Sequence, residues 1–123
     1  MTFPTINVKS SNIEISPGLS TLLDEKLQSL DKLLPTGETA TNCEVEVEKL
    51  PEHQSGKIYR AEVNLAVRGK LYRAEATEES IEKAIDIIRD ELRHELTKSN
   101  EKRESLFRMG RRKIKEMLQF GDS

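Results

Sequence analysis

The sequence predicts an α+β fold in the order β-α-β-β-β-α, with a four-stranded sheet and two helices on one of its faces. Three observations carry this. Three segments in residues 42–77 alternate apolar and polar residues with a period of two. Leucines recur every three or four residues between Leu19 and Leu34. A second stripe at helical spacing runs from Ile81 to Leu96. Alternation confined to one face in successive strands marks an antiparallel sheet with one covered and one wet side.

The elements follow in order. "TINVKSS" places Ile6 and Val8 on one side of a short first strand. Ser16 is a good N-cap, and Pro17 suits the first helical position, where its missing N–H would be unpaired anyway. Leu19, Leu22, Leu23, Leu27, Leu30 and Leu34 then form one stripe, with Pro35 and Gly37 as stop signals. In "NCEVEVEKL", Cys43, Val45 and Val47 oppose Glu44, Glu46 and Glu48. "KIYRAEVNLAVRG" turns Tyr59, Ala61, Val63, Leu65 and Val67 inward, and "LYRAEAT" does the same with Tyr72, Ala74 and Ala76. The glycine-containing "RGK" link predicts a hairpin. The first strand–helix–strand unit requires a parallel pair.

Thr77 is the expected cap of the second helix, with Glu78 and Glu79 in its first turn, where the helix dipole favours anions. Its stripe is Ile81, Ala84, Ile85, Ile88, Leu92 and Leu96. Beyond that, "TKSNEKRES" has no large hydrophobe, and apolar residues return only at Leu106 and Phe107. A helix from Glu78 to Met109 would be about 48 Å long, against about 20–33 Å for strands of six to ten residues. The helix should therefore leave the sheet near Leu96 and overhang into solvent. Two units are expected, a domain over residues 1–103 and a basic amphipathic extension over 104–123.

Charge is distributed unevenly. Residues 1–97 hold 12 Lys or Arg and 18 Asp or Glu, whereas residues 98–118 hold 8 and 3. The segment "LFRMGRRKIKEML" alone sets Arg108, Arg111, Arg112, Lys113 and Lys115 against Glu116. A basic end on an acidic body points to an anionic partner. Enzymatic chemistry has little to stand on. His53 falls in a loop and His94 on a helix, and with the single Cys43 they give no metal-ligand spacing. No glycine-rich phosphate loop or nucleophile elbow occurs, so no cofactor and no small-molecule substrate is expected. The lone cysteine fits a reducing compartment, and no apolar run is long enough for a membrane span, so the cytosol is the expected location. The wet face of the sheet is acidic or mixed, without aromatics set out for base stacking. Any RNA contact falls to the helices: Lys26 and Lys32 around the first, and Arg89, Arg93, His94, Lys98, Lys102 and Arg103 along the second, continuing to Arg108, Arg111 and Arg112.

The segments "INVKSSNIEISPGLSTLLDEKLQSLDKLL", "CEVEVEK" and "YRAEVNLAVRGKLYRAEATEESIEKAIDIIRDELRHELTKSNEKR" resemble, in order and in element length, the ribosome hibernation promoting factor family, also known as ribosome-associated inhibitor or sigma-factor-modulation protein. The resemblance covers about residues 5–103 and implies a short form of that family. It implies a fold like a double-stranded-RNA-binding domain and a non-enzymatic translation inhibitor. Such a protein docks on the small ribosomal subunit, in the messenger- and transfer-RNA channel, and idles ribosomes under stress. By position, Lys26, Arg73, Arg93, His94, Lys98 and Lys102 match basic places in the family pattern. Other readings are a generic duplex-RNA binder, or a module docking on a protein or membrane through the basic tail.

Overall fold

The computed structural model describes residues 3–34, 40–51, 56–67 and 69–121; the side chains of residues 40–41, 103 and 111–121 stand outside the described set. The elements are β1 (Ile6–Ser11), α1 (Pro17–Gln28), a short 3-10 turn (Asp31–Leu33), β2 (Ala40–Lys49), β3 (Tyr59–Val67), β4 (Lys70–Glu78) and α2 (Ile81–Gly121). The strands form one sheet in the order β1-β2-β3-β4. β1 runs parallel to β2, with Ile6 opposite Cys43 and Val8 opposite Val45, and the other two pairings are antiparallel. This is the expected architecture.

The alternation decides which face is covered. Cys43, Val45, Val47, Ala61, Val63, Leu65, Val67, Tyr72 and Ala74 are all buried, in one cluster with Leu19, Leu23 and Leu27 of α1 and Ile81, Ala84, Ile85, Ile88, Leu92 and Leu96 of α2. Both helices therefore lie on the same side, and the polar half of each strand faces water. Cys43 is an ordinary core residue: burial, and then the charge of Glu44, push its thiol up to about 12. Gly69, at φ +75°, closes the β3–β4 hairpin, where Val67 pairs with Lys70.

Ser16 caps α1 as expected, its Oγ accepting the Leu19 N–H at 3.1 Å. The helix stops earlier than the leucine spacing suggests. After Gln28 the chain tightens: the Leu30 N–H bonds to the Leu27 carbonyl and the Leu33 N–H to the Leu30 carbonyl. In 3-10 geometry residues three apart eclipse. Leu30 thereby stays fully buried and Leu33 packs on the core edge. The stop signals Pro35 and Gly37, and His53, lie outside the described residues.

The second helix also begins later than expected. Thr77 and Glu78 belong to β4, and Ser80 is the cap, its Oγ accepting the Lys83 N–H at 3.2 Å. Sheet pairing with β3 claims Thr77 and Glu78, opposite Arg60 and Tyr59, before the helix can. Glu82 is the acidic residue left in the first turn.

α2 then runs unbroken for 41 residues, about 62 Å at 1.5 Å per residue. It crosses the expected 103/104 boundary and Gly110 without interruption. Leu96 is its last fully buried side chain among the described residues. Ser99 and Asn100 still touch the body: the Ser99 Oγ lies 2.8 Å from the Tyr72 hydroxyl, and the Asn100 amide donates to the Leu33 carbonyl at 2.8 Å. From Glu101 to Gly110 every described side chain is exposed. A Cβ added at Gly110 would meet no atom within 4 Å. Gly110→Ala should therefore stabilise the overhang by about 0.5–1 kcal/mol, since it removes backbone freedom without a clash. Slower hydrogen exchange of amides around residue 110, with unchanged exchange in β2 and β3, would register this.

Candidate nucleic-acid interface

The wet face of the sheet is organised around Arg60. Its guanidinium meets Glu46 at 3.9 Å, Glu48 at 3.6 Å and Glu75 at 2.9 Å, and also pairs with Glu62. Arg73 adds contacts to Glu62 at 2.9 Å and Glu75 at 3.3 Å. The hydrogen bond to Glu75 holds Arg60 above its usual range. Glu62 is held below its ordinary value, first by the hydrogen bond from Asn64 and then by Arg73 and Arg60. Four carboxylates around two guanidiniums make this face predominantly acidic, with Arg73 the more exposed of its two arginines.

The helix layer is different, and it sorts the expected RNA contacts into two groups. Lys26 of α1 is engaged by Asp86 of α2 at 2.9 Å, which ties the two helices together. Arg89 is mostly covered and bonds Asp90 at 2.7 Å, with Asp86 at 3.9 Å, and Arg93 reaches Asp90 at 4.0 Å. These three cations share two carboxylates, with Arg93 the most loosely held. Arg73 sits on the wet face, at the edge of the groove that His94 lines.

His94, Lys98 and Lys102 stand four residues apart and so share one flank of α2. All three are exposed, and among the described residues none makes an ion pair. Lys98 and Lys102, like charges one turn apart, cost a helix about 0.2–0.5 kcal/mol. Lys32 joins them at the end where α2 leaves the sheet. It is exposed and sits in the 3-10 turn that Asn100 holds through Leu33. Lys70, which is not among the cations the sequence singles out, belongs to the same end. Its Nζ lies 3.4 Å from the Ser99 Oγ and 4.9 Å from the centre of the Tyr72 ring. The signal for it was the hairpin "RGK", whose turn ends beside the helix that β4 feeds. Arg108 continues the exposed cations along the overhang, beside Leu106, Phe107 and Met109, which are 57%, 64% and 60% exposed. The side chains of Arg103, Arg111 and Arg112 lie outside the described residues.

The described residues hold no group of His, Cys, Asp and Glu able to bind a metal, and no described helix is long and apolar enough to cross a membrane. What the arrangement can do is present fixed positive charge from one end of an α+β body and along a projecting helix.

Residues 6–104 match the protein family described as "Sigma 54 modulation protein / S30EA ribosomal protein", and the chain belongs to that family. Two solved structures share the fold. The N-terminal domain of Protein Y from Thermus thermophilus superposes with a TM-score of 0.59 at 22% identity, over 75% of this chain and 97% of that one. A ribosomal subunit interface protein from Coxiella burnetii gives 0.62 at 21% identity, over 77% and 96%. Among curated protein sequences none matches.

Replacing the hub of the wet face tests its structural role. Arg60→Gln removes the counter-charge of Glu46 and Glu48 and leaves Glu62 and Glu75 to Arg73 alone, and should lower stability by about 0.5–1 kcal/mol at neutral pH. Asn64 and Arg73 are the larger causes that hold Glu62 below its ordinary value and Arg60 a smaller one, and the share from Arg60 is present above the ordinary carboxylate range and lost as pH falls through the lower folded value. Thermal unfolding from pH 7 to pH 3 should therefore show the two proteins converging below about pH 4.5. A gap independent of pH would mean that the charges do not matter.

Proposed function

We propose that the protein is a translation inhibitor without catalytic chemistry. It binds the small ribosomal subunit in the messenger- and transfer-RNA channel and holds ribosomes idle under stress. The observation that carries this is the row His94, Lys98 and Lys102, exposed and without ion pairs among the described residues at the root of the helical overhang, with Lys32 and Lys70 beside it. Family membership supports a ribosomal setting, and the Coxiella burnetii neighbour is described as a ribosomal subunit interface protein. The channel and the stress role come from the resemblance to hibernation promoting factors.

In this reading the folded body positions the charge and the overhang extends it. A helix anchored by its first five turns loses little conformational freedom when phosphates bind, so most of the electrostatic gain is kept. Arg103, Arg108, Arg111 and Arg112 would lengthen the contact along the RNA. Lys26, Arg89 and Arg93 would contribute by holding α1 and α2 in register through Asp86 and Asp90, or by exchanging those carboxylates for phosphate. The acidic wet face would point away from the RNA and set the orientation of approach. The cytosol is the compartment this role requires.

Cosedimentation with purified small subunits across a salt series tests the proposal. Lys98→Gln with Lys102→Gln should weaken binding and reduce the slope of log affinity against log salt by about 1.4–1.8, the share of two phosphate contacts. Removing residues 104–123 should reduce it by up to about 3.5–4.5 if all five tail cations reach phosphate. Bound protein should also exclude messenger RNA from the subunit. Equal slopes for wild type and both variants would remove the helix from the interface, and failure to cosediment at low salt would end the proposal.

A further inference from the structure

β4 is an edge strand of nine residues, free of bulges and proline, and the backbone groups on its outer side have no strand partner among the described residues. Such an edge is a template for another strand, which proteins commonly blunt with charge, proline or irregularity. Here charge is present, but in a self-complementary order. We propose that two copies of this chain associate through β4, antiparallel about a two-fold axis at Ala74, to give a continuous eight-stranded sheet.

The register follows from the sequence of the strand, Lys70-Leu-Tyr-Arg-Ala-Glu-Ala-Thr-Glu78. With Ala74 opposite itself, Arg73 stands opposite Glu75 of the second copy on the wet face. Lys70 stands opposite Glu78 on the helix face, Leu71 opposite Thr77, and Tyr72 opposite Ala76. By symmetry each opposite-charge pair occurs twice. Moving the axis one residue, to Arg73 or Glu75, eliminates all of these charge pairs: Arg73 then meets itself or Thr77, and Lys70 meets Ala76 or leaves the strand.

The side chains are ready for this. Arg73 is 58% and Glu75 43% exposed despite their bonds within the chain, so each has capacity left. Glu78 is mostly covered, with Lys57 and Lys83 at 3.8 and 3.9 Å and its Oε2 without a hydrogen-bond partner, so pairing with Lys70 of the second copy requires its carboxylate to turn outward. Leu71, 61% exposed, is the one large hydrophobe of the folded body left in water among the described residues, and it lies on this edge. There is also room. A groove of about 620 Å³ runs beside β4, between Lys70, Leu71, Tyr72 and Arg73 and the α2 residues Ile87, Asp90, Glu91, His94 and Glu95. The opposite edge, β1, has none of this logic: it is six residues long with Lys9 as its one charge.

The same axis brings together the α2 flanks that line this groove, where Asp90, Glu91 and Glu95 stand along with His94, and the strand edge is small. Association should therefore be weak, with a dissociation constant of roughly 10 µM to 1 mM. The inference does not depend on the ribosomal reading, and its test contains no ribosome.

Sedimentation equilibrium of the wild type, R73E, E75R and an equimolar mixture of the two variants decides it. In the proposed register R73E sets like charges opposite each other, and so does E75R, whereas the mixture restores opposite charges at both positions. Wild type should form a reversible dimer, and each variant alone should associate roughly tenfold or more weakly. The mixture should recover the wild-type affinity. Recovery requires both chains to be folded, so misfolding cannot imitate it. A wild type monomeric at about 1 mM overturns the proposal. Variants that dimerise as tightly as wild type would place the contact elsewhere, on the exposed Leu106, Phe107 and Met109 for example, and overturn it too. So would a mixture no better than its components.

Discussion

The burial of one stripe of α2 on β3 and β4 governs everything else in this molecule. Ile81, Ala84, Ile85, Ile88, Leu92 and Leu96 seat the first half of the helix over Ala61, Val63, Ala74 and Tyr72, all within one buried cluster. Each large side chain in such a contact contributes about 1.5–3 kcal/mol through its removal from water. The small residues Ala61, Ala74 and Ala84 leave room for close approach. Because the strands end, the stripe ends, and the helix continues as a cantilever whose direction is fixed by what is buried behind it. Tyr72 to Ser99 and Asn100 to Leu33 fasten the helix to the body at the point where its buried stripe ends.

That constraint converts a row of surface charges into a candidate binding element. A lysine on a flexible tail samples many positions, and one on a clamped helix does not. It also explains why the cations divide as they do. Arg89 and Arg93 sit where α2 still borders α1, among Asp86 and Asp90 and close to Lys26. Such partly covered charges need counter-charges, because water no longer solvates them fully. Lys98 and Lys102 lie where the body falls away and solvent does that work, so they need no carboxylate. The sheet's wet face solves the same problem internally, by collecting four glutamates around Arg60 and Arg73. The acidic side of the protein is thus partly compensated within itself, while Lys98 and Lys102 make no ion pair among the described residues.

The element types, the sheet's covered face, the Ser16 cap, both apolar stripes and the overhang beyond Leu96 were legible in the sequence, because each rests on local periodicity or on a length comparison. Two helix boundaries were not. Thr77 and Glu78 have the chemistry of a helix start but are taken by pairing with β3, and the leucine stripe of α1 continues past Gln28 through a tighter turn that still buries Leu30. The family resemblance likewise nominated Lys26, Arg73 and Arg93 on the same footing as Lys98 and Lys102. Ion pairing separates them, and pairing is a matter of which carboxylates the fold brings within 4 Å.

By itself the sequence determined which residues could be buried, and hence the order of strands and helices, since hydrophobic periodicity is a property of the chain alone. It also determined that positive charge gathers toward one end. Only the tertiary structure decided which of those charges are spent on Asp86 and Asp90 and which stay open, that Lys70 stands beside Ser99 from twenty-nine residues away, and that β4 is left as an edge. Those facts depend on distances between residues remote in sequence, and no local pattern encodes them.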